Sequence, residues 1–267
     1  MYIQHNGRLA MLRKWFLDVV KMAVTFELFN DMGEMLSRYK ENIESLSEHD
    51  YLPIGNISIS VIVPTRNEAW NIKRLLASLR LSRYRDLEVI VADYMSNDDT
   101  TKIARFLGAR VIEVNKPGVG YASFVAANKA RGDIIIRTDA DAILPPKIIA
   151  YALNIFNRFN TVKIMHLGHI YIDSGFMDNF AAFLYDKYWR DVWKTTGYFI
   201  AFRKNVRDIV NFNPNLRIHE DFDFGWRAYK AFGAKAFYYN YKVAVPVSAR
   251  RIKITGKTRY ILGHRIR

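Results

Sequence analysis

The sequence predicts an α/β fold, a mostly parallel central sheet covered by helices on both faces, preceded by a helical appendage. Three observations predict it. From residue 57 onward, short β-branched runs alternate with amphipathic stretches of helical period. The runs are apolar almost without a break, as expected of strands buried on both faces. Acidic residues gather where those runs end, and open α/β sheets bind ligands beyond the carboxyl ends of their strands.

In chain order, residues 8–48 read as helix. Leu12, Phe16, Val19, Ala23 and Phe26 recur at three- and four-residue steps, with Arg13, Lys14, Asp18, Lys21 and Thr25 opposite. After Gly33 the pattern resumes through Met35, Tyr39, Ile43 and Leu46 as a second helix. Pro53 and Gly55 then break it. This gives an amphipathic N-terminal segment, residues 1–54, and a main domain, residues 55–267. The segment suits packing on the main domain, pairing with another subunit as in a homodimer, or lying in a membrane interface.

The strand "ISISVIV" opens the domain and leads into the helix "EAWNIKRLLASL". "LEVIVAD" is a second strand, followed by a helix from Asp98 to Leu107. "ARVIEV" is a third, followed by a helix across Ala122 to Ala130, and "DIIIRTD" is a fourth. Residues 57–145 thus form one half of the domain. In the other, residues 146–245, "VKIMHLGHIYI" reads as a strand and Phe176 to Trp193 as an aromatic-rich helix. A short strand "YFIAF", a helix over "EDFDFGWRAYKAFG" ending at Gly233 as its cap, and a strand "AKAFYYNY" follow.

Composition narrows the function classes. The chain carries 40 Lys/Arg against 26 Asp/Glu, a formal charge of +14, and no cysteine. Disulfides, thiolate zinc sites and a cysteine nucleophile are excluded. The charge is uneven. Residues 1–50 hold 6 basic against 8 acidic side chains, while the tail, residues 246–267, has Arg250, Arg251, Lys253, Lys257, Arg259, Arg265 and Arg267 without an acid. Such a surface favours a phosphate-bearing substrate, an anionic membrane or a polyanion. Tyr260 is the tail's sole aromatic residue, which gives little base stacking and disfavours nucleic acid. No apolar run reaches the ~18 residues of a membrane span, and the N-terminus has no signal-peptide pattern. The expected location is the cytoplasm, with attachment to the cytoplasmic membrane face as the second arrangement.

The chemistry centres on "IIIRTDADAILPP". Asp139 and Asp141 stand where the fourth strand ends in a turn, so both carboxylates can converge on one point outside the sheet. A hard divalent cation suits them, since Mg2+ or Mn2+ takes one or two carboxylates and completes its shell with water and phosphate oxygens. A capping pair at a turn is the alternative. Downstream, "RIHEDFDFGW" puts Glu220, Asp221 and Asp223 at a helix start, where backbone N–H groups favour negative charge. Gly118 and Gly120 precede a helix and either admit a ligand to the backbone or make an ordinary turn. Arg250 and Arg251 can fold over a diphosphate or lie on the surface. His166, His169 and His264 are not spaced as a metal site.

Four blocks in order resemble the family-2 glycosyltransferases of the GT-A fold. These are "SVIVPTRNEAWNIKRLLASL", "EVIVADYMSNDDTTKIA", "ARGDIIIRTDADAILPP", and "GYFIAFRKN" followed by "HEDFDFGWRAYKAFGAK". They cover residues 57–240. The resemblance implies an inverting, metal-dependent transfer of sugar from a nucleoside-diphosphate sugar to an acceptor hydroxyl of a glycan, protein or lipid-linked molecule. It implies that Pro64, Thr65 and Glu68 line the nucleotide pocket and that Asp93 contacts the base. Asp139 would lie by the ribose and metal, Asp141 would ligate the metal, and Asp221, in the Glu220–Asp221 pair, would be the catalytic base. Two departures matter. Tyr94 and Met95 replace the usual Asp and Gly, which leaves uridine and guanosine both open; the expected donor is a UDP-sugar, with a GDP-sugar as the alternative. No QxxRW block of the processive synthases is present, which points to single transfers. The competing class is a degenerate GT-A fold acting as an interaction protein, or a basic nucleic-acid-binding module.

Overall fold

The computed structural model describes residues 31–32, 34–35, 57–82, 84, 86–145, 147–250 and 253. The chain divides into two compact units, Met1–Ser45 and Leu46–Arg267. In the first, Asp31, Met32, Glu34 and Met35 are helical. The rest of the expected N-terminal helices, with Arg251 and the tail beyond Lys253, lies outside the described residues.

The second unit holds all seven expected strands, in one sheet of order β3-β2-β1-β4-β6-β5-β7. They are β1 Ile59–Thr65, β2 Leu87–Tyr94, β3 Arg110–Val114, β4 Ile134–Arg137, β5 Ile164–Tyr171, β6 Ile200–Arg203 and β7 Phe237–Val247. The pairs of β1 with β2 and β4, β2 with β3, and β5 with β7 are parallel. β6 is the exception, antiparallel to both β4 and β5. That reversal places the start of β6 beside the end of β4, with Ile200 opposite Arg137.

The helices are α1 Ala69–Arg80, α2 Thr100–Phe106, α3 Val119–Lys129, α4 Ile148–Arg158, α5 Phe176–Leu184, α6 Lys204–Ile209 and α7 Glu220–Phe232. Strand residues alternate between two cores. Val61 and Val63 pack with Ile72, Leu75, Leu79, Ile149 and Phe156 under α1 and α4. Ile62 packs with Ala122, Ala126, Phe202, Phe212 and Phe224 under α3 and α7. This is the period-2 rule of a strand meeting the helical period on both faces. α7 ends at Gly233, whose φ is +73° and whose N–H reaches Tyr229 O at 2.8 Å, as the cap expectation required.

Two differences have local causes. The expected helix from Phe176 to Trp193 is α5 followed by a π-helical turn, Tyr185–Trp189, and it stops at Arg190. α4 was not expected, because "LPP" reads as a strand stop and conceals the helix start. Its Ile148, Ile149, Ala152, Leu153, Ile155 and Phe156 are buried at helical spacing. Among the described residues, no helix is long and apolar enough to cross a membrane.

Candidate active site

The carboxyl ends of β1 and β2 are joined by side chains. Register sets Thr65 beside Asp93, and the Thr65 hydroxyl donates to Asp93 Oδ1 at 2.9 Å. The Ser96 amide and hydroxyl donate to the same carboxylate at 2.9 and 2.6 Å. Asp93 is buried between them, and Pro64 lies one residue before Thr65 in β1. Asn67 then laces the two turns, its N–H to Ser96 Oγ at 2.8 Å and its Oδ1 accepting from Asn97 N at 2.9 Å. Asp98 accepts from Ala69 N at 3.1 Å and Thr100 N at 3.0 Å, so a residue after β2 holds the first turn of α1. Burial works to raise the Asp98 pKa, but the hydrogen bonds from Thr100 and Ala69 outweigh it and hold the group below the ordinary carboxylate range.

This edge carries backbone strain. Asn67 and Met95 have φ of +53° and +45°, values that side chains other than glycine rarely adopt. Met95 keeps the conformation that the glycine usual in the resembling block would adopt freely. Tyr94 beside it carries the Arg66 guanidinium 4.8 Å from its ring centre. Glu68 accepts from Asn71 Nδ2 at 2.7 Å and is paired with Arg250, which ties the C-terminal segment to the start of α1. A shallow depression of about 500 Å³ beside Trp70, Lys73 and Asp98 adjoins this edge, but none of Asp139, Asp141 and Asp221 lines it.

The second cluster forms because β4 and β6 are antiparallel. Arg137 ends β4 and is buried. Its Nη1 donates to Asp139 Oδ1 at 2.6 Å and to the Gly197 carbonyl, and its Nη2 donates to Glu220 Oε1 at 2.6 Å. Burial alone would lower the arginine's pKa, but the charges of Asp139, Glu220 and Asp221 raise it. Burial pushes the Glu220 carboxyl up, against the pull of Arg137. The Asp139–Asp141 turn is closed by Ala142 N to Asp139 O at 3.2 Å, and Ser248 N donates to Asp141 O at 3.2 Å. The end of β7 therefore clamps the acid pair from the other side.

Asp221 is the second residue of α7, whose N-cap His219 has φ +62°. Its Oδ2 accepts from Gly197 N at 2.7 Å and its Oδ1 from Phe222 N at 2.9 Å. Gly197 meets Asp221 through its N–H and Arg137 through its carbonyl. A Cβ on it would fall 2.1 Å from Arg137 Nη1 and 2.9 Å from Asp139 Oδ2, so no other residue fits without displacing both.

The structure thus joins Asp139, Glu220 and Asp221 through Arg137 and Gly197, and Thr65 with Asp93. Gly118, expected at a ligand, has φ +122° and a different neighbour. A Cβ there would meet Leu216 O at 2.9 Å, and one at Gly120 would meet Asn213 O at 2.3 Å. The close approach of the chain's own loop already requires both glycines. Arg250 lies on Glu68. Arg137 and Gly197 were missed. The signal was there for Arg137, since a charge inside the apolar run "IIIR" demands a buried partner.

Comparison of folds gives the class. A mannosyltransferase from Pyrobaculum calidifontis in complex with GDP-Man and Mn2+ matches with TM-score 0.58 and 22% identity, over 87% of this chain and 69% of that one. Glucosyl-3-phosphoglycerate synthase from Mycobacterium tuberculosis in complex with Mg2+ and UDP matches with TM-score 0.58 and 20% identity, over 74% and 73%. The sheet and its helices are those of the GT-A glycosyltransferases. More particularly, the chain belongs to glycosyl transferase family 2, whose model matches residues 60–213. Among curated relatives, 4,4'-diaponeurosporenoate glycosyltransferase of Staphylococcus haemolyticus is 43% identical over 94 residues, 33% of this chain and 25% of the relative. Dolichol-phosphate mannosyltransferase of Pyrococcus furiosus is 25% identical over 177 residues, 59% of this chain and 49% of the relative. The chain thus spans half or less of the length of these relatives.

Proposed function

We propose that the protein transfers single sugar units from a nucleoside-diphosphate sugar to an acceptor hydroxyl with inversion at the anomeric carbon. A UDP-sugar is the favoured donor and a GDP-sugar the second. The observation that carries this reading is the convergence at Gly197, where the Asp139 carboxylate and the Asp221 carboxylate meet the same residue.

Asp221 acts as the base. Its two backbone donors fix the carboxylate's orientation and leave lone pairs on both oxygens for a hydroxyl proton. As that proton passes to Asp221, the acceptor oxygen bonds to the anomeric carbon. The bond from that carbon to the diphosphate breaks on the opposite face, and the nucleoside diphosphate leaves with its electron pair. One displacement inverts the centre without a covalent enzyme intermediate. Glu220 is buried against Arg137 and holds that guanidinium in place rather than meeting substrate. Thr65 and Asp93 shape the floor below the nucleotide, and Arg250 can exchange Glu68 for a phosphate.

Asp139 and Asp141 fit a divalent cation by their chemistry. They are two partly exposed carboxylates on a tight turn, and the described residues hold no cluster of three or more metal-binding side chains. Two hard oxygen donors without a protein cage suit Mn2+ or Mg2+ with a shell finished by water and phosphate. When bound, such an ion neutralises charge on the departing diphosphate.

The test separates the acids. Asp141→Ala is expected to abolish Mn2+-dependent donor binding in a thermal-shift screen of UDP- and GDP-sugars. Asp221→Asn is expected to bind donor normally and lose about 10²–10⁴-fold in turnover. Equal loss of donor binding in both variants removes this division of roles. Absence of metal-dependent binding or turnover with every donor removes the enzyme reading.

A further inference from the structure

Beyond Asp221 itself, a second buried charge pair touches the loop that holds it. Asp186 lies in the π-helical turn Tyr185–Trp189 and is fully buried. Its Oδ1 accepts from Arg190 Nη2 at 2.8 Å. Arg190 Nη1 donates onward to Thr196 Oγ1 at 2.9 Å, and the same guanidinium lies 5.6 Å from the ring centre of the buried Tyr198. The Tyr198 hydroxyl in turn meets His169 Nδ1 at 3.1 Å, and the His169 amide donates to Asp186 at 2.9 Å. The circuit closes on Asp186.

Thr196 sits between the two residues that hold Asp221. Thr195 Oγ1 donates to the Asp221 carbonyl at 2.5 Å, and Gly197 N donates to its carboxylate at 2.7 Å. We infer that the Asp186–Arg190 pair is a positioning device for Asp221. It acts by fixing Thr196, and through Gly197 it also steadies Arg137 and Asp139. The inference rests on the proposed role of Asp221 as base.

Three features favour positioning over simple stability. A buried ion pair is weak evidence of stability, because desolvation consumes much of its attraction. Arg190 Nε is buried with no hydrogen-bond partner among the described residues, so the guanidinium is spent on geometry at its two Nη atoms rather than on full satisfaction. And the carboxylate stands on a π-helical turn, a rare distortion that is frequent at functional sites. The turn sets Asp186 and Arg190 on one side of the element and ends the helix at Arg190, five residues before Thr195.

Thr196→Val and Thr196→Ser test the link, with Asp221→Asn alongside. Both Thr196 variants keep the Asp186–Arg190 pair, but valine removes the hydroxyl. Turnover is measured with Mn2+ on UDP-glucose, UDP-N-acetylglucosamine and GDP-mannose, counting hydrolysis as well as transfer. Thr196→Val is expected to lower kcat about tenfold or more with donor KM within about twofold, since small displacements of a reacting group cost rate rather than ground-state binding. Thr196→Ser is expected to restore kcat. Independently of turnover, amide hydrogen exchange at Gly197 is expected to quicken about tenfold in Thr196→Val and return in Thr196→Ser. If Thr196→Val does not fold, Arg190→Lys asks the same question, because it keeps a charge beside Asp186 and loses the fork to Thr196. Unchanged kcat and unchanged Gly197 exchange in a folded variant overturn the inference. Retained turnover in Asp221→Asn instead overturns the base assignment, whatever Thr196 does.

Discussion

The two halves of the larger unit hold their carboxylates by different physics. In residues 57–145, Asp93 and Asp98 are gripped by short neutral donors, namely Thr65, Ser96, Thr100 and the backbone amides of Ser96, Ala69 and Thr100. The donors come from turns next to the strands they serve. In residues 146–250, the carboxylates of Glu220 and Asp186 are gripped by buried guanidinium groups, Arg137 and Arg190. Those partners arrive from other elements or from a distorted helix. Asp139 stands where the two schemes meet, in the first half by sequence and held by Arg137. A site of neutral donors degrades in small steps when one is removed. A site of buried charges fails as a unit, because each loss strands another charge.

Replacing Arg137 by methionine should give the largest effect and is the sharpest way to break this contrast. It leaves Glu220 buried without its guanidinium and removes the Arg137 bond from Asp139. The expected cost is about 3–5 kcal/mol of stability, read by urea unfolding, with donor binding lost as well. Ser96→Ala is the matching cut in the other half. Asp93 keeps Thr65 and the Ser96 amide, so the expected cost is about 1–2 kcal/mol. If the two variants lose equal stability, the difference between the halves is not one of mechanism.

The same contrast explains what the sequence revealed. All seven strands were legible, since unbroken β-branched runs bounded by turns leave little alternative. The acids at the strand ends were legible too, because β1, β2 and β4 run parallel and bring their carboxyl ends to one edge. What escaped was everything set by the reversal of β6. Nothing in "YFIAF" says that the strand runs against β4, yet that direction is what lays Gly197 on Arg137 and Asp139. The π-helical turn escaped for a related reason. "DKYWR" has ordinary helical spacing between Asp186 and Arg190, and only the packing of Tyr239, Tyr198 and His169 around them shows that the turn is widened. α4 was hidden by the prolines before it, although its apolar spacing was regular.

Acid titration gives a smaller effect that sharpens the comparison further. His166 is fully buried, stacked on Tyr239 with ring centres 4.4 Å apart, and bonded through Nε2 to Val192 O at 2.7 Å. Burial first, and the Arg190 charge second, lower its pKa to about 3, with the Val192 hydrogen bond and then Asp186 pulling the other way. The native state thus refuses a proton that the unfolded chain accepts near pH 6.5. The stability tied to neutral His166 is complete above that pH and drains away as the pH falls toward 3, by at most about 1.4 kcal/mol per pH unit. Asp98 and Asp133 in the other half have lowered pKa values, the first by hydrogen bonds that overcome its burial and the second chiefly by hydrogen bonds from Ser58. Their contribution is complete above the ordinary carboxylate range and fades only as the pH drops through their depressed values. Between pH 6.5 and 4.5 the loss from His166 is opposed by Glu220, whose raised carboxyl takes up a proton more readily in the native state. His166→Phe keeps the stacking ring and removes the titration. Its Tm should start lower at pH 7.5, by the equivalent of about 1 kcal/mol for the lost Val192 bond, and then rise relative to that of the wild type as the pH falls across that window. Parallel Tm curves for the two proteins would place the acid sensitivity elsewhere and leave the buried charges of the second half no more sensitive to pH than the neutral donors of the first.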